Sequence, residues 1–128
     1  GIEWVQNHRF DFFNYAGIDR PVTIFTVPKD HIEDISISVT VPSDDVAIIS
    51  YDIRSTADNL TFETNYKIRL FDKVSNIVAK VDGGTRGEIR VENPKLWWPY
   101  LMDDKPGYLY ELEVQLFLSN EFCDIYRL

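Results

Sequence analysis

Hydrophobic residues recur at every second position in several runs of this chain, and this alternation constrains the fold more than any other feature. In DISISVTV, Ile35, Ile37, Val39 and Val41 share one face of an extended strand, while Ser and Thr residues share the other. The same pattern recurs in Ala47, Ile49, Tyr51 and Ile53; Tyr66, Ile68 and Leu70; Ile89 and Val91; and Tyr110, Leu112, Val114, Leu116 and Leu118. Antiparallel sheets with one buried and one solvated face show this pattern. We therefore expect these residues to form the core of an all-β protein.

Turn-forming residues separate the runs and indicate the type of β architecture. Pro42 to Asp45 ends one strand, and glycine is expected to supply a positive φ in Asp82-Gly83-Gly84 and in Pro106-Gly107. Short strands with regularly spaced turns predict an immunoglobulin-like antiparallel β-sandwich of about seven strands. The Cys and Trp signature of antibody domains is absent. No segment has a helical period, although residues 93–96 could form a single turn.

The first 20 residues differ from the rest of the chain. Before Gly17 they contain a dense group of aromatic residues: Phe10, Phe12, Phe13 and Tyr15. Such density suits the last strand and exit linker of a preceding domain. We therefore assign residues 1–20 to that tail and residues 21–128 to the sandwich, with VTIFTV as its first strand. The chain begins without Met and in the middle of a pattern, so we expect it to be a piece of a longer polypeptide.

Charge and cysteine content narrow the classes of partner. The net charge of −8 argues against binding to nucleic acid and to anionic membranes, which both select basic surfaces. No apolar run approaches the ~20 residues of a membrane span. The single cysteine, Cys123, cannot form an intrachain disulfide. We expect Cys123 to pack as a small apolar residue in a strand, since no base is near it in sequence.

Residues that could carry chemistry are sparse. His8 and His31 are far apart and have no partner at motif spacing, so we expect His31 to be a solvated or capping residue. The pairs Asp44-Asp45 and Asp103-Asp104 lie in turns, where adjacent carboxylates diverge into solvent; a calcium site is the alternative. We therefore assign no catalytic, cofactor-binding or metal-binding residue. Asn59-Leu60-Thr61 fits the acceptor pattern for N-glycosylation, which makes Asn59 a candidate site.

An aromatic doublet, Trp97 and Trp98, opens the stretch WWPYLMDDKPGYLY. Prolines at positions 94, 99 and 106 stiffen this region. Three interpretations are open: a platform for stacking sugars, a pair that packs inside the sandwich, or a seam with a neighbouring domain. Tryptophan is enriched at interfaces, because its large apolar ring carries one polar group.

Three stretches of the sequence resemble a known family. FDFFNYAGIDRPVTIFTVP followed by IEDISISV resembles the junction of the first and second domains of beta-glucuronidases, in glycoside hydrolase family two. NPKLWWPYLMDDKPGYLYELEVQL resembles the end of the second domain of these enzymes, most closely in their animal versions, and CDIYRL resembles the strand that leaves it. The resemblance keeps its order along the chain. Residues 43–90 resemble the family mainly in strand pattern.

The resemblance implies a parent that is a retaining hydrolase, which removes terminal β-D-glucuronate from glycosaminoglycans or glucuronides. Such parents combine a jelly-roll domain, an immunoglobulin-like sandwich and a (β/α)₈ barrel that carries two catalytic glutamates. No catalytic motif of the family maps onto this chain, so we expect the chain alone to be inactive and to need no cofactor. Its implied role is to hold the jelly-roll and the barrel in register. The resemblance also implies a homo-oligomeric, lysosomal or secreted glycoprotein.

The aromatic residues acquire a role from the same resemblance. Phe12, Phe13, Trp97, Trp98 and Tyr100 become candidates for packing or for seams with the missing domains. We expect one tryptophan to fill the sandwich and the other to lie against the loop or a neighbouring domain. The alternative is a separate module that binds carbohydrate or protein through its exposed aromatic rings.

Overall fold

The computed structural model describes residues 17–18, 20–58 and 63–128. These residues form seven strands: β1 (Ile32–Ser43), β2 (Val46–Ser55), β3 (Thr64–Phe71), β4 (Ile77–Gly83), β5 (Arg86–Glu92), β6 (Glu111–Leu118) and β7 (Glu121–Arg127). The strands make two antiparallel sheets, in the orders β1-β2-β5 and β4-β3-β6-β7. The immunoglobulin-like sandwich of seven strands is thereby confirmed. In the described residues there is no helical turn at 93–96, and no helix has the length and apolarity needed to cross a membrane.

The core lies between the two sheets and follows the alternation of the sequence. In the first sheet, Val39 pairs with Ile49 and Ile49 pairs with Ile89, so their side chains share one row. In the second sheet, Ile68 pairs with Val114. The predicted core is confirmed for these buried residues: Ala47, Ile49, Tyr51, Ile53, Tyr66, Ile68, Leu70, Ile89, Val91, Leu112, Val114 and Leu116. Tyr110 and Leu118 are partly buried against them.

Strand β1 departs from the prediction along most of its length. Ile32 is buried and Ile35 is half-buried, but Ile37, Val39 and Val41 are exposed. Ile37 and Val39 pair with Tyr51 and Ile49 of β2 and so lie on the inner face, and Val41 lines the groove beside them. The assignment of the face is therefore right and the expected burial is wrong. The reason is that β1 is an edge strand, and alternation shows which residues share a face but not whether a second layer covers that face.

The segment VTIFTV was expected to be the first strand of the sandwich, and this prediction is wrong. Residues 21–29 form no strand, and Ile24 is 93% exposed. β-branched composition favours a strand only where a neighbouring strand and a packing surface are available, and this segment has neither in the described chain. The sandwich begins at Ile32. The proposed domain division at residue 20 stays a prediction.

The glycine-containing turns were predicted with mixed success. Gly107 has φ +65° and confirms the expectation for Pro106-Gly107. The described residues Gly83 and Gly84 do not have positive φ, so that part of the prediction is wrong. This connection is not a hairpin, because β4 pairs with β3 whereas β5 pairs with β2. The chain crosses here from one sheet to the other through a bend at residues 84–85.

One glycine is required by close packing inside the first sheet. Gly87 pairs with Tyr51 across β5 and β2. A Cβ atom at position 87 would lie 2.5 Å from the hydroxyl oxygen of Tyr51 and 2.8 Å from its Cζ atom. The ring of Tyr51 therefore covers the space that any larger residue would need, as aromatic residues do beside strand glycines.

Glu113 is a buried acid, although the alternation of residues in β6 predicted that it faces solvent. Its side chain is 4% exposed, on the outer side of the four-stranded sheet. Arg127 Nη2 lies 2.8 Å and Arg69 Nη1 lies 3.5 Å from its carboxylate oxygens, and Gln115 Nε2 donates to Oε1 at 2.8 Å. The neighbours on β3 and β7 thus cover and compensate this charge. Sequence spacing alone does not reveal such cross-strand pairs.

Candidate functional site

An apolar groove of about 600 Å³ opens at the end of the sandwich where β1 finishes and β6 begins. Its floor consists of core residues from both sheets: Ala47, Ile49, Leu70, Val91 and Leu112. Its walls are the inner face of β1, residues of the segment 94–110, and Leu128. Lys95 is the one charged side chain among its lining residues, and none of them carries a side-chain carboxylate.

One wall is the inner face of β1, formed by Ile37, Val39 and Val41. The opposite sheet covers β1 at its other end, where the backbone N–H of Ile32 donates to Asp124 Oδ2 at 2.9 Å. Toward Val39, which is 59% exposed, no described residue completes the second layer. This uncovered face is the source of the groove.

A second wall is the segment between β5 and β6, residues 93–110, here called the tryptophan loop. The N–H of Gly107 donates to the carbonyl of Trp98 at 2.9 Å, which closes the loop on itself. At its base the N–H of Lys95 donates to the hydroxyl of Tyr110 at 2.7 Å. The positive φ of Gly107 makes the reversal possible without steric cost. The loop is therefore held by one backbone hydrogen bond within it and by one to the side chain of Tyr110.

Both tryptophans line the groove, and neither belongs to the buried core. Trp97 is 58% exposed and Trp98 is 40% exposed, so the prediction that one of them fills the sandwich is wrong. Tyr100, further along the loop, is more exposed than either. The physical reason is that strand residues fill the middle of the sandwich, and the loop aromatics reach only the rim of the open groove at its end. Their role at a seam stays a prediction.

Lysine side chains provide the polar edge of the groove. Lys73 Nζ and Lys95 Nζ lie 4.9 Å and 5.0 Å from the centre of the Tyr108 ring, within the range of cation–π contacts. Nearby, Asp72 accepts hydrogen bonds from the backbone N–H and side-chain amide of Asn76, and these bonds hold the pKa of the Asp72 carboxyl below its ordinary value. The rim of the groove thus carries two ammonium groups beside the Tyr108 ring, whereas its floor is apolar.

The third wall is Leu128, whose backbone is fixed to β6. Its N–H donates to the carbonyl of Leu112 at 3.0 Å, and its own carbonyl accepts from the N–H of Leu112 at 3.0 Å. Because both bonds are made, Leu128 continues the ladder between β6 and β7. This wall of the groove is therefore joined to the sheet by two backbone hydrogen bonds.

The opposite end of the sandwich, called here the closed end, is joined by a hydrogen-bond network of Ser55, Asp58 and Tyr66. The hydroxyls of Tyr66 and Ser55 each donate to Asp58 Oδ1 at 2.8 Å, and the N–H of Ser55 donates to Asp58 Oδ2 at 2.8 Å. The two hydroxyl oxygens lie 2.7 Å apart. The network links the end of β2 to β3 and leaves these polar groups satisfied.

The network changes the acidity of two of its members. Burial works to raise the pKa of the Asp58 carboxyl, but the hydrogen bonds from Ser55 and Tyr66 outweigh burial and lower it. Burial raises the pKa of Tyr66 to about 12, and the nearby Asp58 carboxylate adds to this rise. Neither group is paired with a histidine or a nucleophile, so we assign the network to stability.

The other residues weighed from the sequence do not come together. Both aspartate pairs lie in exposed turns, where Asp45 and Asp103 accept backbone hydrogen bonds from Asn93 and Lys105. No group of three potential metal ligands occurs among the described residues. His31 is half-buried, and its N–H donates to Thr56 Oγ1 at 2.9 Å. Cys123 lies on β7 and packs against the core, as expected for a small apolar residue.

Some of the sequence predictions fall outside the described residues. These are His8 and the aromatic candidates Phe12 and Phe13, in the range 1–16, and the glycosylation candidate Asn59, in the range 59–62. They stay predictions.

Comparisons with known proteins agree on one family. The sequence profile described as "Glycosyl hydrolases family 2" matches residues 30–127. The beta-glucuronidase of Felis catus is 45% identical over 113 residues, which are 88% of this chain, and that of Homo sapiens is 43% identical over the same share. Among solved structures, the beta-glucuronidase of Ruminococcus gnavus superposes with a TM-score of 0.64 and 25% identity over 79% of this chain.

The shares of the relatives' lengths are much smaller. The chain spans 17% of the feline and human proteins, and 15% of the Ruminococcus gnavus chain. The likeness is therefore to one domain of these enzymes. This chain belongs to the glycosyl hydrolases of family 2, as an immunoglobulin-like sandwich domain similar to that of beta-glucuronidases.

Proposed function

We propose that this chain is a non-catalytic domain of a beta-glucuronidase-like enzyme, and that it positions a (β/α)₈ barrel and a jelly-roll domain of the same parent. The observation that carries this proposal is the groove, which has no side-chain carboxylate among its lining residues. A retaining glycosidase needs two carboxyl groups about 5–5.5 Å apart at its site. An apolar concavity suits contact with another protein surface instead.

For the parent we propose the activity that the names of the relatives carry. Matched proteins from cat and human are called beta-glucuronidase. The parent would be a retaining hydrolase that releases terminal β-D-glucuronate from glycosaminoglycans or glucuronides. Its acid/base and nucleophile would be supplied by the barrel, outside these 128 residues.

The segment before β1 supports a second contact, toward the jelly-roll domain. Val22, Ile24, Phe25 and Val27 are all exposed, although their composition is that of a strand. An exposed run of this kind is costly in water and prone to pair with another sheet. We therefore propose that residues 21–28 lie against the preceding domain of the parent.

Two measurements test this function. Sequencing the gene beyond the codon for Leu128 should show a reading frame that continues into a barrel; a stop codon there would overturn the proposal. The purified 128-residue chain should not release nitrophenol from 4-nitrophenyl β-D-glucuronide. Turnover that survives repurification and is abolished by a substitution in this chain would show that the chain is itself catalytic.

We further propose that the parent is a lysosomal or secreted glycoprotein, that it forms homo-oligomers, and that Asn59 carries a glycan. The family resemblance implies the location and the assembly, and the acceptor pattern Asn59-Leu60-Thr61 supports the glycan. Expression of the chain behind a secretion signal in animal cells should give a product whose mass falls on treatment with a peptide N-glycosidase. The variant Thr61→Ala should lack this shift, and a shift retained in it would exclude Asn59 as the acceptor.

The second candidate function is a separate binding module for carbohydrate or protein. The exposure of Trp97 and Trp98 favours it, because exposed rings can stack on sugars. Titration with glucuronide or glycosaminoglycan oligosaccharides, followed by tryptophan fluorescence, separates the two. We expect no saturable change. A saturable change that Trp98→Ala abolishes would favour the module.

A further inference from the structure

We infer that the groove is filled in the parent by apolar side chains from another part of the same polypeptide, which complete the core of the sandwich. This inference rests on the proposed function and deepens it by naming the occupant of the groove. It assigns the contact to a defined surface: the inner face of β1, the tryptophan loop and Leu128.

The groove is a gap in the core and not a depression in the outer surface. Its floor residues, such as Ile49 and Leu112, belong to the same buried cluster that joins the two sheets. Its wall residues Ile37, Val39 and Val41 alternate with outward-facing serine and threonine, so their exposed faces point toward that cluster. An apolar occupant would therefore extend the existing core, because its contact would remove apolar surface of the groove from water.

The lining chemistry favours polypeptide over carbohydrate as the occupant. A sugar presents hydroxyl groups that need donors and acceptors, and sites for polar ligands contain a few convergent polar groups. Here the floor is aliphatic, and the one charged lining residue, Lys95, lies at the rim with its ammonium group over Tyr108. Aliphatic and aromatic side chains of a protein match such a surface.

The position of Leu128 favours the same polypeptide over a second copy of the chain. Leu128 forms part of the groove wall and is fixed to Leu112 by two hydrogen bonds. A polypeptide that continues from it therefore starts beside the groove, at an effective concentration in the millimolar range. The relatives are long enough to supply it, since the matched part is 17% of their length. A second copy of the short chain would have to bind from dilute solution, and a neighbouring subunit of a parent oligomer would reach the groove only if the assembly placed it there.

The tryptophan loop is ready to receive such an occupant. Its hydrogen bonds from Gly107 to Trp98 and from Lys95 to Tyr110 are already made, and three prolines restrict its backbone. A preorganised wall loses little conformational entropy when it is covered. Covering it would also remove Trp97 and Trp98 from water.

The test is thiol labelling of Val39→Cys in the full-length parent enzyme and in the 128-residue chain. The matched control is Ser38→Cys, the neighbouring exposed position on the opposite face of β1. Peptide mass spectrometry reads each site separately from Cys123. We expect Val39→Cys to react at least about tenfold more slowly in the parent than in the short chain, since reaction in the parent requires local opening. Ser38→Cys should react equally fast in both, and thermal melts should show that all variants are folded.

Each outcome decides the inference. Equal labelling of Val39→Cys in parent and short chain would overturn it. Protection in the short chain that increases with protein concentration would assign the groove to a second copy, and would overturn it as well. The proposed function is judged independently, by the sequence beyond Leu128 and by the inactivity of the short chain.

Discussion

The two ends of the sandwich differ in how well the described residues cover their side chains. At the closed end, Asp58 joins β2 to β3 by accepting from Ser55 and Tyr66. At the groove end, the inner face of β1 and the tryptophan loop line a groove of about 600 Å³ that none of the described residues covers. The first end is stabilised by residues within twelve positions of one another, and the second leaves apolar side chains in water.

This difference indicates which contacts serve the domain and which serve the parent. A closed hydrogen-bond network stabilises the isolated sandwich, because removing any member leaves a partner unsatisfied. An exposed apolar wall contributes little to the isolated sandwich and becomes stabilising only when it is covered. Substitutions at the two ends should therefore have unequal effects on the short chain.

The largest expected effect on stability is the loss of a buried isoleucine near the closed end. The comparison is the loss of an isoleucine in the groove wall. Ile53→Ala removes a side chain that is 1% exposed, so we expect the free energy of unfolding to fall by about 2–5 kcal/mol. Ile37→Ala, in the groove wall, should cost less than about 1 kcal/mol, since Ile37 already contacts water. Urea denaturation measures both. Equal losses would show that the groove wall is packed in the isolated chain.

The second effect concerns single hydroxyl groups. Tyr66→Phe removes a donor to Asp58 and a neighbour of the buried Ser55, and we expect a loss of about 1–3 kcal/mol. The matched variant Tyr110→Phe removes the acceptor for the N–H of Lys95 at the groove end, in an exposed position. Water can replace that partner, so its cost should be about 0.5 kcal/mol. A larger loss for Tyr110→Phe would reverse the comparison.

The closed end should contribute to the pH dependence of stability on both limbs, beside an acid contribution from Asp72 near the groove rim. The folded-state pKa of Asp58 is lowered, so its contribution is full above its ordinary pKa of about 3.9 and is lost as pH falls through the lower folded value. The pKa of Tyr66 is raised to about 12, so its contribution is full below about pH 10 and is lost as pH rises through the folded value. Urea midpoints across pH should show both limbs. Asp58→Asn should flatten the acid limb; an unchanged acid limb would assign it to other carboxylates.

The smallest effect on stability is expected in the groove wall, with a different readout. Val39→Thr keeps the shape of an exposed side chain and should change the free energy of unfolding by less than about 0.5 kcal/mol. It should nevertheless reduce binding of the dye ANS to the folded chain, because the dye requires exposed apolar surface. Thr40→Val, on the outer face of β1, is the control and should not reduce binding. Equal dye binding in Val39→Thr and the unaltered chain would place the dye elsewhere.

Much of the fold could be predicted from the sequence, because alternation reports directly on strand faces. Tyr66, Ile68 and Leu70 are buried as their spacing indicates. Alternation did not predict that Val39 is uncovered, since burial depends on the opposite sheet. It also placed Glu113 in water, because the arginines that cover this acid come from β3 and β7, which are far from it in sequence.

The candidate site was less predictable than the fold. The tryptophan doublet indicated the loop that forms one wall of the groove. The expectation that one of the two rings fills the core was wrong. The groove is formed by three parts of the chain that are distant in sequence: β1, the tryptophan loop and Leu128. Their convergence depends on sheet topology, which residue patterns do not specify. The family resemblance, by contrast, depends on contiguous stretches of the sequence, and it was confirmed.

The contact between Tyr51 and Gly87 has a consequence for how this domain can diverge. With the phenol in place, a methyl group at position 87 would be 2.5 Å from its oxygen. A larger residue at position 87 therefore requires the Tyr51 ring to move aside, and a smaller residue at position 51 removes that requirement. The two positions are coupled, so a larger residue at 87 should cost more stability beside Tyr51 than beside a smaller residue at 51.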